Sequence, residues 1–145
     1  MARALLLNPN SAQILTRSAW IRVWVGDADP AIDEFTRAIR LSPVDPEIGY
    51  SYCGLTYAFL MTGDYPKAVD YARRATHEMP RWVSAWVGLA VASIMAGNTA
   101  EAQNAAKRIL VLSPTYSMSS RQAPVQYERL NQLIKDGLLK AGIPE

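Results

Sequence analysis

Histidine and cysteine are nearly missing from this 145-residue chain, which has one of each, His77 and Cys53. A single cysteine can close no internal disulfide, and the simplest compartment for such a chain is a reducing cytoplasm. One His and one Cys cannot build a zinc site of the usual composition. Cys53 has no histidine near it in sequence and stands where a small apolar residue would serve, so it reads as a buried, inert thiol. No glycine-rich phosphate loop is present, since Gly26, Gly63 and Gly97 are isolated turn glycines. No apolar run approaches the roughly 18 residues a membrane span needs. The apolar core of residues 1–9 is too short for a secretory signal. Charge of one sign is also lacking. Fifteen basic and thirteen acidic residues leave a net +2, which argues against a nucleic acid or a membrane surface as partner. Arg73-Arg74 and Lys107-Arg108 read as cations near helix ends, where the helix dipole favours them. The paired carboxylates have ordinary readings as well: Asp27 with Asp29 as turn and cap residues, Asp33 with Glu34 as a solvated helix face. The expectation is a chain with no catalytic residue, no metal and no cofactor.

What is present is a period. Half the residues are apolar, the composition of a globular domain. Gly63-Asp64-Tyr65-Pro66-Lys67-Ala68 is followed by Ala72, Ala75 and Pro80. The same spelling returns at Gly97, Ala102, Ala106, Ile109 and Pro114, and earlier at Gly26, Ala31, Phe35, Ala38 and Pro43. Gly63 to Gly97, Pro80 to Pro114 and Pro9 to Pro43 are each 34 residues apart. That period marks a stacked array of helix-turn-helix units.

The units divide the chain. Residues 1–9 read as the end of a preceding, incomplete repeat. Residues 10–43 form the first full repeat. Its helix A starts at an N-cap Ser11 and runs to about Val25, with apolar residues on both sides. Its helix B opens at Asp29-Pro30, an N-cap followed by a proline in the first turn. Residues 44–80 form the second, with three residues inserted at its start. Asp45-Pro46-Glu47 gives the start signal there, and the insertion is expected to lengthen the first turn of that helix. Residues 81–114 form the third, in which Asn98-Thr99-Ala100-Glu101 reads as a capping box. Residues 115–145 are a polar loop and a last helix from Pro124 to about Ala141, with Tyr127, Leu130, Leu133, Ile134, Leu138 and Ala141 on its apolar face. An array exposes an apolar end unless a terminal helix covers it, and this helix follows directly on the last repeat. The expected fold is all-α: a superhelical array of three hairpins with a C-terminal capping helix.

Gly-Asp-Tyr-x-x-Ala-Val-x-x-Tyr-Ala-x-x-Ala at 63–75, closed by Pro80, resembles the tetratricopeptide repeat (TPR). So do Trp86, Leu89 and Ala90 ahead of Gly97, Ala102 and Pro114. The first repeat departs from the pattern at Ser18 and Arg22, where the family carries large apolar and aromatic residues, so either looser packing or completion by a partner chain is expected there. A narrower likeness, carried by Leu41–Glu47 and Gly137–Glu145, is to the C-terminal TPR region of bacterial class III adenylate cyclase-like regulators. It implies a regulatory or scaffolding end of a longer protein.

The TPR resemblance implies a right-handed superhelix whose inner face, built from each helix A, binds peptides. On this chain the inner-face positions are Gln13, Thr16, Arg17, Trp20 and Trp24, then Tyr50, Cys53, Gly54, Tyr57 and Met61, then Ser84, Val87, Gly88, Val91 and Met95. Family members that grip chaperone tails use Lys, Asn and Arg at places held here by Thr16, Trp20, Gly54, Ser84 and Gly88, so a chaperone C-terminal tail is not the expected ligand. The expectation is a non-enzymatic protein-interaction module with an apolar groove for a helix or extended peptide. The occupant could be a partner protein, a second copy, a missing segment, or the chain's own 124–141 helix. Gly54 and Gly88 have two readings: close approach of a ligand backbone, or relief of helix packing.

Overall fold

A computed structural model describes Arg3, residues 11–121 and residues 126–145. The suggested repeat fragment at 1–9 therefore lies, Arg3 apart, outside the described residues. The described elements are seven helices: α1 Ala12–Val25, α2 Ala28–Leu41, α3 Ile48–Thr62, α4 Tyr65–Glu78, α5 Val83–Met95, α6 Thr99–Leu112 and α7 Glu128–Ala141. There is no strand among the described residues. No helix among the described residues is long and apolar enough to cross a membrane.

Helices α1–α2, α3–α4 and α5–α6 pack as hairpins, and each hairpin packs on the next through α2–α3 and α4–α5. The first helices of the hairpins also touch side by side, α1 with α3 and α3 with α5, so they form one inner layer. The second helices carry the alanines that the period singled out. Ala31 and Ala38, Ala68, Ala72 and Ala75, then Ala102, Ala105 and Ala106 are all buried, because a larger side chain would hold the neighbouring helix away. Phe35, Leu15, Leu55, Leu60, Ile109, Leu130 and Leu138 fill the space between layers.

The helix ends explain where the sequence reading was right and where it shifts. Ser11 caps α1, its hydroxyl accepting from the Ile14 N–H at 3.3 Å. Helix α2 begins earlier than expected: its N-cap is Asp27, and Asp29-Pro30 lies inside the first turn. Asp27 makes no cap bond because its carboxylate is taken by Arg22. The three inserted residues do not lengthen a helix. Residues 43–47 form turns, in which Asp45 Oδ1 accepts from the Glu47 N–H at 2.8 Å, and α3 starts only at Ile48. Asn98 accepts from the Glu101 N–H at 3.2 Å, but the return half of the capping box is not formed. The Glu101 carboxylate instead takes Arg73 Nε and Nη2, both at 3.0 Å, and the hydroxyl of buried Ser93 at 3.0 Å. It ties the second hairpin to the third.

Arg73 and Arg74 thus do not serve the helix dipole. Arg73 holds Glu101, and Arg74 pairs with Asp70 and lies over the rings of Tyr52 and Tyr71. Lys107 and Arg108 also stand above the last turn of α6, which holds no basic residue; Arg108 rests on Trp86. The expected solvated pair Asp33 and Glu34 is split. Asp33 is exposed, whereas Glu34 is only 7% exposed and is held by Arg22 Nε at 2.9 Å. Its other oxygen, Oε2, is buried without a hydrogen-bond partner. This is how the unusual Arg22 is accommodated where the family pattern has an aromatic ring.

Removing one member of this pair strands the other. Arg22→Met is expected to lower stability by about 1–3 kcal/mol, because it leaves a buried carboxylate uncompensated. The double change Arg22→Met with Glu34→Leu is expected to recover most of that loss, since matched apolar groups need no partner. Urea unfolding of the three proteins measures this. A double variant no better than Arg22→Met would contradict the pairing.

Candidate interaction groove

The last helix is the main departure from expectation. Helix α7 packs chiefly on α5, with further contact to α6 and α3, and none to α2 or α4. Its approach begins at the first repeat. The backbone N–H groups of Gln126 and Tyr127 both donate to the Trp24 carbonyl, at 2.9 and 3.0 Å. The Tyr127 ring lies over Gly26, which has φ of 89° and caps α1; a Cβ on that glycine would meet the ring at 2.7 Å. Leu130 then lines a small cavity with Leu60 and Met61 at the end of α3, and Gly137 rests against Val91 of α5. The helix therefore covers the end of the array and also crosses its inner layer. The expectation of a simple end cap is corrected to this extent: α7 also lies on the inner layer, over Val91 of α5 and beside the C-terminal end of α3, so the chain itself covers that part of the groove. Tyr127 precedes the helix as its N-cap rather than belonging to it, and Pro124 lies outside the described residues.

The inner-face residues fall into three sets. Cys53, Gly54, Tyr57, Val87, Gly88 and Val91 are buried, behind the groove surface. A Cβ on Gly54 would fall inside the Phe35 ring, and one on Gly88 would meet Thr56 Cγ2 at 3.1 Å. Both glycines ease helix packing, and no opening is left at either for a ligand backbone. Tyr57 donates its hydroxyl to the Ser84 carbonyl at 2.8 Å, and burial pushes its phenol well up from the ordinary value. Burial likewise pushes the Cys53 thiol up, so it stays protonated and unreactive. Met61 and Met95 are half-buried, Met61 beside the start of α7. The third set is open: Gln13 and Arg17 exposed, Thr16, Trp20, Trp24, Tyr50 and Ser84 half-buried. Thr16 is drawn to Ser51, hydroxyl to hydroxyl at 3.0 Å, and Gln13 stands beside them.

Five of the open residues come together in one cleft of about 590 Å³, lined by Arg17, Trp20, Ile21, Trp24, Tyr50, Trp82 and Ser84. Trp20 is its centre. The Trp20 ring lies 6.1 Å from Trp24, 5.9 Å edge-on from Phe35, 6.0 Å from Tyr57 and 6.3 Å from Trp82. Its indole N–H donates to the Tyr50 carbonyl at 3.2 Å. Tyr50 and Trp82 meet edge-to-face at 4.7 Å, a favoured aromatic geometry. The sequence reading missed Trp82 and Ile21. Trp82 is the N-cap of α5, just outside the helical positions from which the inner face was counted. Ile21 is 41% exposed, and its signal was an aliphatic residue at a phase of α1 with no neighbour to cover it.

Among the described residues no cluster of three His, Cys, Asp or Glu side chains is placed to hold a metal ion. No family model and no curated protein matches the chain. Solved structures do. PilW, a type IV pilus biogenesis factor, aligns with a TM-score of 0.74 at 19% identity, over 97% of this chain and 60% of PilW. The chain thus spans less than two thirds of that protein. The first TPR domain of human RPAP3 aligns with a TM-score of 0.66 at 20% identity, over 92% of this chain and 97% of that domain. The first TPR of Spaghetti (RPAP3), solved with an HSP90 peptide, aligns with a TM-score of 0.65 at 20% identity, over 89% and 94%. The narrower likeness to cyclase-like regulators gains no support from these matches. The helix pairing, the inner layer of first helices and these structural likenesses together give the chain the tetratricopeptide-repeat fold, a right-handed superhelix of three hairpins closed by a C-terminal helix.

Proposed function

We propose that this chain is a protein-interaction module, without catalysis of its own, that binds a peptide segment of a partner in the open part of its inner groove. The observation that carries the reading is the aromatic cleft. Four aromatic side chains from three successive repeats, Trp20, Trp24, Tyr50 and Trp82, are gathered on the concave side and left half-exposed. Large apolar rings that folding gathers but does not bury mark interaction sites, and Trp and Tyr are the residues that dominate binding energy at them. That a structural neighbour was solved with a peptide is in keeping with this use of the fold. The site differs from the sequence expectation in extent. The part of the groove over Val91 and Met61 is taken by α7, and the ligand is left the cleft between the C-terminal half of α1 and the N-terminal ends of α3 and α5. Nothing in the cleft reproduces the Lys, Asn and Arg set of chaperone-tail receptors, so such a tail is not the proposed ligand.

A phage-displayed library of random peptides tests this. Peptides are expected to be enriched on the parent protein, and to lose at least about tenfold in affinity on Trp82→Ala, an interface aromatic truncated at the rim of the site. Trp82 lies outside the fully buried core, so helix content should hold. Arg108→Ala, on the far side against Trp86, should bind as the parent does. No enrichment, or binders indifferent to Trp82→Ala, would overturn the proposal.

A further inference from the structure

The cleft's unused hydrogen-bonding groups restrict the shape of what it can hold. Trp20 spends its indole N–H on the Tyr50 carbonyl. The indole N–H groups of Trp24 and Trp82 have no acceptor among the described residues, and neither is among the buried unpartnered atoms, so both are reached by solvent. Arg17 is exposed and makes no ion pair among the described residues. No carboxylate lines the cleft. Its lining residues thus carry two indole donors and one guanidinium without a partner among the described residues, set among apolar rings, with side-chain acceptor capacity on the Tyr50 and Ser84 hydroxyls.

A helix is poorly matched to that set. Its backbone carbonyls are already taken within the helix, apart from the last turn, so only its side chains are left to accept from the indole donors. An extended chain presents free carbonyls. One in the polyproline II conformation presents them at regular intervals with no internal bonds, loses little entropy on binding, and carries prolyl rings that lie flat against aromatic side chains. We infer that the cleft takes a proline-rich segment in polyproline II conformation, its carbonyls accepting from Trp24 and Trp82 and an acidic side chain meeting Arg17. This rests on the interaction reading above and selects among its ligands.

The experiment uses two displayed libraries of equal size on the full chain. One fixes proline at every third position; the other fixes a helical scaffold and randomises its apolar face. The inference expects binders from the proline library alone, with acidic residues enriched. Trp82→Phe, which keeps a ring and removes the donor, should weaken those binders by about three- to tenfold, the effect of one lost hydrogen bond. In NMR spectra with a selected peptide, the Trp24 and Trp82 indole N–H signals should move while that of Trp20 stays. Arg17→Gln should remove the preference for acidic over uncharged peptides. Binders from the helical library alone, or from both equally, would overturn the inference and leave the interaction module standing, provided they respond to Trp82→Ala. Binders from neither library would overturn both. Proline-library binders that leave the two indole signals unmoved would overturn the hydrogen-bonding scheme and the inference with it.

Discussion

Phe35→Ala is expected to lower the unfolding free energy by about 3–5 kcal/mol, the cost of emptying a fully buried ring site. Phe35 is 0% exposed, stands edge-on to Trp20 and occupies the room that Gly54 leaves on the next helix. The ring therefore interlocks the first and second hairpins and supports the floor of the aromatic cleft. The interlock has a sharper consequence. Gly54→Ala alone should destabilise, because its methyl would fall inside the ring and well-packed cores tolerate no added carbon there. In the Phe35→Ala background that methyl enters the vacated space and alanine is the better helix former by about 1 kcal/mol, so the same change should be neutral or stabilising. Urea titrations of the four proteins complete the cycle. Additive losses would contradict the interlock.

Leu138→Ala is expected to cost about 2–5 kcal/mol for the same physical reason, since Leu138 is 0% exposed on α7. The effect should spread unevenly. Helix α7 is the last element of the chain and packs mainly on α5, so weakening it should speed amide exchange along α7 first and leave α2 near its parent rate. A loss under about 1 kcal/mol, or equal exchange increases in α2 and α7, would contradict the tight docking that Gly137 against Val91 describes. The prediction bears on function, because α7 lies on the inner layer, chiefly on α5. A loosened α7 would open groove surface that the intact protein keeps closed.

The array was legible in the sequence because its determinants are local and periodic. Turn glycines, buried alanines and terminal prolines recur at a fixed step, and each states a requirement of one hairpin: a left-handed cap, a close helix contact, a stop. Gly63 and Ala72 carry those meanings wherever they stand. The path of α7 was not legible. Its apolar face, Leu130, Ile134 and Leu138, reads the same whether it covers the end of the array or crosses the inner layer. What decides is a pair of backbone hydrogen bonds to Trp24 and the seat of Tyr127 on Gly26, contacts between residues about a hundred positions apart with no sequence period to announce them.

The cleft was legible in part. Counting inner-face positions found Arg17, Trp20, Trp24, Tyr50 and Ser84, because helix geometry fixes them. It also drew in Cys53, Gly54, Tyr57, Val87, Gly88 and Val91, since spacing gives a direction but not the depth at which a neighbour covers it. It passed over Trp82, whose place in the cleft comes from the extended backbone of an N-cap, φ −90° and ψ 111°, and not from the helix that follows. Glu34 was misread for a related reason. A charged residue on a helix looks solvated until the partner that buries it, here Arg22 on the neighbouring helix, is placed.

The central claim is that a partner peptide occupies the aromatic part of the inner groove while α7 keeps the part on α5. Hydrogen–deuterium exchange on the full chain, with and without a library-selected peptide, tests it most directly. The account predicts slower exchange around Arg17–Trp24, Tyr50 and Trp82 on binding, with α7 unchanged. Faster exchange along Leu130–Leu138 in the presence of peptide, with no protection at Trp20 and Trp82, would show instead that the ligand displaces α7 and that the site is the part of the groove assigned here to the chain itself.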